Sequence, residues 1–264
     1  MKQGHEAIGV GYAQARSPDP HIRALISRAL GDAHTVMNVG AGTGNYEPAG
    51  RRVMAVEPAL EMLGHRPANG HPAVRAVAQA LPFFDHAFDA ALATLTLHHW
   101  NDYPAALSEM RRVAQKQVIL LYEPSMTCEF WLIDYFPEAL SLPSEVRAPG
   151  VEEIRACLEV QTVTPLPIPA DCADGFAGAY WARPEAYLDP SIRTGISSLA
   201  QLSPEVAARD TSRLDRGPHV RGMGRRLRPP ALASRVRPRL PFGGRRLTAG
   251  NFLTSCINQL TESS

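Results

Sequence analysis

Between residues 35 and 124, short apolar runs rich in β-branched residues alternate with segments of helical period. This alternation constrains the fold more than any other feature of the chain. "TVMNV" (35–39), "RRVMAVEP" (51–58), "AVRAVA" (73–78), "FDAALATLTL" (88–97) and "KQVILLYEP" (116–124) read as strands. "ALEML" (59–63) and "YPAALSEMRRVA" (103–114) read as helices between them. Such a rhythm implies parallel strands joined by crossovers. "KQVILLYEP" is too continuously apolar for a half-exposed sheet edge. The expected fold is α/β, a doubly wound and mostly parallel sheet flanked by helices. Its ligand belongs outside the carboxyl ends of the strands, beside the topological switch point.

That rule gathers the candidate site residues: the glycine loop after strand one, Glu57 after strand two, His98-His99-Trp100 after strand four and Glu123-Pro124 after strand five. The loop reads "VMNVGAGTGNYEP" (36–48). A dinucleotide loop needs G-x-G-x-x-G, and Asn45 stands where its third glycine belongs. A Walker A loop needs G-K-[S/T], which does not occur. No Lys or Arg lies between Val36 and Gly50 to meet a phosphate. The loop therefore suits a ligand without phosphates. Glu57, seventeen residues past Gly40, is placed to accept two hydrogen bonds from a ribose diol. A nucleoside ending in a small zwitterion satisfies both features, and S-adenosylmethionine is such a molecule.

With "VMNVGAGTGNYE", "VMAVEP" and "AQALPFFDHAFDAALATLTLHHW" in this order, the chain resembles the class I S-adenosylmethionine-dependent methyltransferases. The branch it is most like carries an LPF-x-D-x-x-FD signature before strand four. The resemblance covers residues 30–125 and extends more weakly to about 205. It implies a Rossmann-like methyltransferase fold with S-adenosylmethionine as cofactor. By the same resemblance Asn38, Gly40, Ala41, Gly42 and Gly44 would line the methionine end, and Glu57-Pro58 would hold the ribose. Ala78-Gln79 would lie along the adenine, and Leu95 to His99 would floor the reactive methyl. Two departures stand out: Asn38 replaces the usual Asp, and Val77 replaces the acidic residue expected to bind the adenine amino group.

Methyl transfer depends chiefly on alignment, and a base helps only where the acceptor carries a proton. His98 and His99 are the candidate catalytic bases. Tyr12, Trp100 and Glu123 are candidate acceptor contacts, with Tyr12 and Arg16 a candidate lid. The (Asp/Asn)-Pro-Pro-(Tyr/Phe) loop of adenine and glutamine amino-methyltransferases is replaced by Leu97-His98-His99-Trp100. A small organic acceptor, methylated on O, N or C, is therefore favoured. Cys128, Cys157, Cys172 and Cys256 form no C-x-x-C pair and sit near no His at ligand spacing, so no metal is expected. The N-terminal stretch has no apolar h-region and no apolar run approaches about 20 residues, which gives a cytoplasmic, non-membrane expectation.

Charge divides the chain. Residues 209–246 hold twelve Arg and two Asp, a balance of +10, against 15 basic and 24 acidic residues elsewhere. The expected organisation is a methyltransferase domain (1–208) followed by an atypical Arg/Pro-rich tail (209–264). Three readings of the tail stand: a nucleic-acid-binding arm, a solvated tail, or the product of a shifted reading frame. No regular last strand is legible after Ser203, although "NFLTSCINQL" (251–260) could serve. Two functional alternatives also stand: a catalytically weak S-adenosylmethionine-binding protein, and an RNA-binding methyltransferase using the tail.

Overall fold

The computed structural model describes residues 16–217 and the backbone of residues 253–259. One sheet organises them: β1 (Thr35–Val39), β2 (Arg52–Val56), β3 (Ala73–Val74), β4 (Phe88–Thr94), β5 (Ala114–Tyr122), β6 (Thr162–Leu166) and β7 (Leu253–Gln259). Their spatial order is β3-β2-β1-β4-β5-β7-β6. β1 to β5 pair in parallel, while β7 runs antiparallel to both β5 and β6. The chain works outward from β1 to β3, then returns to lay β4 on the other side of β1. The switch point is therefore the gap between the carboxyl ends of β1 and β4.

Local chemistry accounts for the elements. In α1 (Pro20–Leu30), Asp19 caps the first turn by accepting from the His21 and Ile22 amides, and Pro20 suits the first helical position. Ile22, Ile26 and Leu30 fall four apart and are buried, each burial contributing about 1.5–3 kcal/mol. Asp102 caps α3 (Tyr103–Val113), which buries Ala106, Leu107, Met110 and Val113. Between β2 and β3 lies the short α2 (Leu60–Gly64).

The LPF-x-D-x-x-FD signature is a clasp. Arg112 of α3 donates to the Leu81 carbonyl (3.0 Å), the Phe83 carbonyl (2.8 Å) and Asp85 (2.9 Å), while Glu109 accepts from the Leu81 amide (2.9 Å). Phe83 meets Phe88 edge to face at 5.0 Å. The last Asp, Asp89, accepts from the His34 amide and from the Thr35 amide and hydroxyl, at 2.8, 2.8 and 2.9 Å. It thereby fastens the amino end of β4 to that of β1.

Three expectations need correction. The third strand pairs only through Ala73 and Val74, and Val77 lies exposed beyond it. A last strand is present: β7 pairs with β5 from Lys116↔Gln259 to Tyr122↔Leu253 and with β6 from Thr162↔Ile257 to Leu166↔Leu253. Its sequence carries only two aliphatic residues, so it takes its place by backbone pairing on both sides, without an apolar pattern to announce it. The helix Pro204–Arg216, capped by Ser203, crosses the expected 208/209 boundary and buries Asp210 and Leu214. Residues 218–252 of the basic tail lie outside the described residues.

Asp89→Ala should lower unfolding free energy by about 1–3 kcal/mol, because three donors lose their acceptor. The Thr35 hydrogen bonds hold the Asp89 carboxyl below its ordinary pKa. Its contribution is thus present at neutral pH and lost as pH falls through the folded value. Urea melts of both proteins at pH 7 and pH 3 should show the difference shrinking in acid.

Candidate active site

The glycine loop starts where β1 ends. A Cβ on Gly40 (φ +68°) would lie 2.2 Å from the Thr96 hydroxyl, so only glycine lets the loop pass this close to the end of β4. The Gly40 and Ala41 amides both donate to the Val56 carbonyl, at 2.9 and 3.0 Å, fixing the loop against β2. Gly42 (φ +52°) has nothing within 4 Å of its would-be Cβ and lines a cavity of about 130 Å³. Bare backbone here forms a cradle that a side chain would fill.

Glu57, at the tip of β2, faces the same cavity and is 93% buried. One carboxylate oxygen accepts from the Gly42 amide and the other from the Ala59 amide, both at 2.9 Å. Each oxygen keeps acceptor capacity for one hydroxyl of a vicinal diol. Thr94 also lines the cavity, and its buried hydroxyl has no hydrogen-bond partner among the described residues. An orphaned hydroxyl, an open cradle and an oriented carboxylate fit a nucleoside with a polar zwitterionic end. The arginine that lines this cavity, Arg16, is paired with Asp174. Arg66 approaches Gly42 but is bound bidentately to Glu47, at 2.8 and 2.9 Å.

Beyond the bare backbone of the loop, β4 gives way to a strained residue, Leu95 (φ +52°), whose amide donates to the Leu120 carbonyl at 2.7 Å. A 3₁₀ turn, Leu97–His99, follows, anchored by buried Leu97. His99 and Trp100 line this first cavity, whereas His98 lines a second cavity of about 60 Å³. The two imidazoles lie 3.8 Å apart between ring centroids, at a tilt of 48°. The second cavity is walled by Phe130, Leu132, Ile133, Phe176 and Ile196, and Arg16, Leu95 and Ser197 border both spaces.

Arg16 is held there by buried Asp174. Its Nε and Nη2 donate to the two carboxylate oxygens at 2.6 and 3.1 Å, and the Tyr46 hydroxyl donates to the same carboxylate at 2.8 Å. Burial and the Asp174 charge push the Tyr46 phenol well above its ordinary pKa, so it remains a donor. Cys172 beside them is pushed up to about 12 by burial and is inert.

Of the sequence-predicted residues, Asn38, Gly40, Ala41, Gly42, Glu57, Pro58, Leu95, His99 and Trp100 line the larger of these two cavities, so Trp100 stands with the glycine loop and Glu57. Gly44 lines neither cavity; its Cα faces Arg66 and Glu47. Ala78 is buried in the core under the sheet, and neither it nor Gln79 lines either cavity. Glu123 also lines neither. Its carboxylate accepts from the Val151 amide at 3.0 Å, supporting the start of the helix Val151–Arg155. Tyr12 lies outside the described residues. Asn38 donates to Glu47 at 3.3 Å, so the acid missing at 38 stands next to it, already neutralised by Arg66. Thr94 and Asp174 were missed. The carboxyl-end rule could have found Thr94, but no local signal marks Asp174.

Fold and site together define a methyltransferase of the Rossmann-like class, and comparison with known proteins agrees. Residues 37–122 match the methyltransferase domain family. A solved structure, a putative methyltransferase from an antibiotic biosynthesis pathway of Anabaena variabilis, is 30% identical with a TM-score of 0.70, over 77% of this chain and 87% of that one. A demethylmenaquinone methyltransferase of Renibacterium salmoninarum is 37% identical over 101 residues, 35% of this chain and 43% of its own length. Another, of Mycolicibacterium paratuberculosis, is 28% identical over 162 residues, 58% of this chain and 70% of its own. The first of these two relatives is thus matched over less than half its length. The chain belongs to the class I S-adenosylmethionine-dependent methyltransferases, and its cofactor is S-adenosylmethionine.

Gly42→Val should put a branched side chain into the cradle, and Glu57→Ala should remove the diol acceptor. Calorimetric titration with S-adenosylhomocysteine should show at least about tenfold weaker binding in each, the worth of one charge-assisted hydrogen bond or more.

Proposed function

We propose that this chain moves a methyl group from S-adenosylmethionine to a small, largely apolar organic acceptor seated in the second cavity. The observation that carries the proposal is the meeting of two unlike spaces at Leu95, Arg16 and Ser197. One has a diol-binding carboxylate and bare backbone, the other apolar and aromatic walls. The demethylmenaquinone named for two relatives is a small organic molecule, which supports the same acceptor class.

The cofactor supplies an electrophilic methyl on a sulfonium. Glu57 accepts from the sugar hydroxyls, and the bare backbone at Gly42 leaves room for the ligand. The walls of the second cavity exclude water and hold the acceptor against the Leu95 boundary. Positioning of this kind lowers a bimolecular barrier by roughly 7–11 kcal/mol when the reacting atoms are aligned. Where the acceptor is a hydroxyl, His98 or His99 is placed to receive its proton.

Two measurements test this reading. Titration with S-adenosylhomocysteine should give micromolar binding, and a panel of small organic acceptors with methyl-labelled cofactor should yield a labelled product. No binding of S-adenosylhomocysteine would sink the reading. With an acceptor in hand, His99→Ala should cut kcat about 10²-fold or more while cofactor affinity stays within twofold. Unchanged kcat would remove His99 as a base.

A further inference from the structure

Among the described residues, one carboxylate on the wall of the second cavity has no partner. Glu145 lies in the short helix Pro143–Val146, which packs against the Leu97–His99 turn. It faces the cavity alongside Phe130, Leu132 and Phe176. With His98 it also lines a smaller recess beside Leu95 and Tyr122. Among the described residues it makes no hydrogen bond or ion pair. The other titratable or charged groups lining the cavity are Arg16, His98 and Tyr122. Arg16 is committed to Asp174 through two nitrogens. No arginine or lysine lining the cavity is therefore left to balance Glu145.

A carboxylate turned toward apolar walls without a counter-charge is unfavourable unless the ligand supplies what the protein does not. A second anion, such as a phosphate or carboxylate on the acceptor, would be repelled. A neutral hydroxyl offers one donor and no balancing charge. An ammonium offers charge and donors together. We infer that Glu145 selects an acceptor with a basic nitrogen on an apolar body, a conclusion that rests on the second cavity being the acceptor site.

The same carboxylate meets a chemical need. An ammonium cannot accept a methyl group until it loses a proton. Its N–H bond breaks, an O–H bond forms at Glu145, and the lone pair left on nitrogen becomes the nucleophile. The protonated carboxyl then releases its proton to solvent. Burial holds the Glu145 carboxyl above the ordinary range, which makes this transfer less uphill.

Calorimetry with two probes of matched shape tests the inference: 2-phenylethylamine, charged at pH 7, and 2-phenylethanol, neutral. The full chain is first saturated with S-adenosylhomocysteine. The amine should bind about tenfold more tightly than the alcohol, the difference expected of one charge-assisted contact. In Glu145→Gln the preference should fall below threefold, while S-adenosylhomocysteine affinity is unchanged. Equal binding of both probes by the wild-type chain, no binding of the amine at millimolar concentration, or a preference that survives in Glu145→Gln would each overturn it. The wild-type comparison decides even if the variant does not fold. Should S-adenosylhomocysteine itself fail to bind, the methyltransferase reading fails instead. The two probes are then titrated into the chain alone, with the same outcomes deciding.

Discussion

The close approach of Gly40 to Thr96 is the constraint on which the site depends. β1 and β4 are neighbours, and the chain must leave β1 over the end of β4 without a side chain in between. Two amides bound to one carbonyl of β2 then fix the loop's height above the sheet. At that height the Gly42 amide reaches Glu57, which is oriented a second time by Ala59. Any side chain at 40 would lift the loop off Thr96 and leave a buried carboxylate with one donor instead of two. The sugar-binding acid is therefore positioned by backbone geometry more than by its own packing.

A second constraint ties the roof to this floor. The Asp174 side chain is fully buried and its charge needs compensation, which Arg16, Tyr46 and the Gly175 amide supply. Tyr46 closes the glycine loop, Arg16 precedes α1, and Asp174 belongs to the aromatic segment after β6. Asp19 adds a link, because it caps α1 with one oxygen and accepts from the Ala173 amide with the other. Burial opposes its ionisation, but the amide donors outweigh it and hold the carboxyl below its ordinary pKa. Removing one partner from such a buried pair costs about 3–5 kcal/mol. Loop, N-terminal segment and roof therefore hold together as one unit, and the boundary between the two cavities is rigid where Arg16 forms it.

What could be read from the sequence follows from the range of the interactions. β1, β2, β4 and β5 were legible because central parallel strands are apolar on both faces. Glu57 and the His98-His99 turn were legible because the carboxyl-end rule needs only the strand ends. Gly44 shows the limit of spacing. It repeats the type and interval of Gly40 and Gly42, yet it turns toward the Arg66–Glu47 pair because the loop has already curled away from the cavity. The Arg16–Asp174 contact spans 158 residues and leaves no local trace. β7 was obscured by its polar sequence and by its distance from β6.

The signature before strand four touches neither cavity, yet it serves the site. Leu95 carries a backbone conformation that costs on the order of 1–3 kcal/mol and persists only if its surroundings enforce it. Its amide is held by Leu120 of β5 on one side, and β4 pairs with β1 on the other. Both neighbours must stay in register for that enforcement to reach the end of β4. Asp89 fixes the register of β4 against β1 at their amino ends, and Arg112 binds the incoming loop to the helix that leads into β5. A one-residue slip would reverse which face each β4 side chain occupies and carry Thr94 away from the cavity. The clasp at one end of the sheet is thus a condition for the geometry at the other.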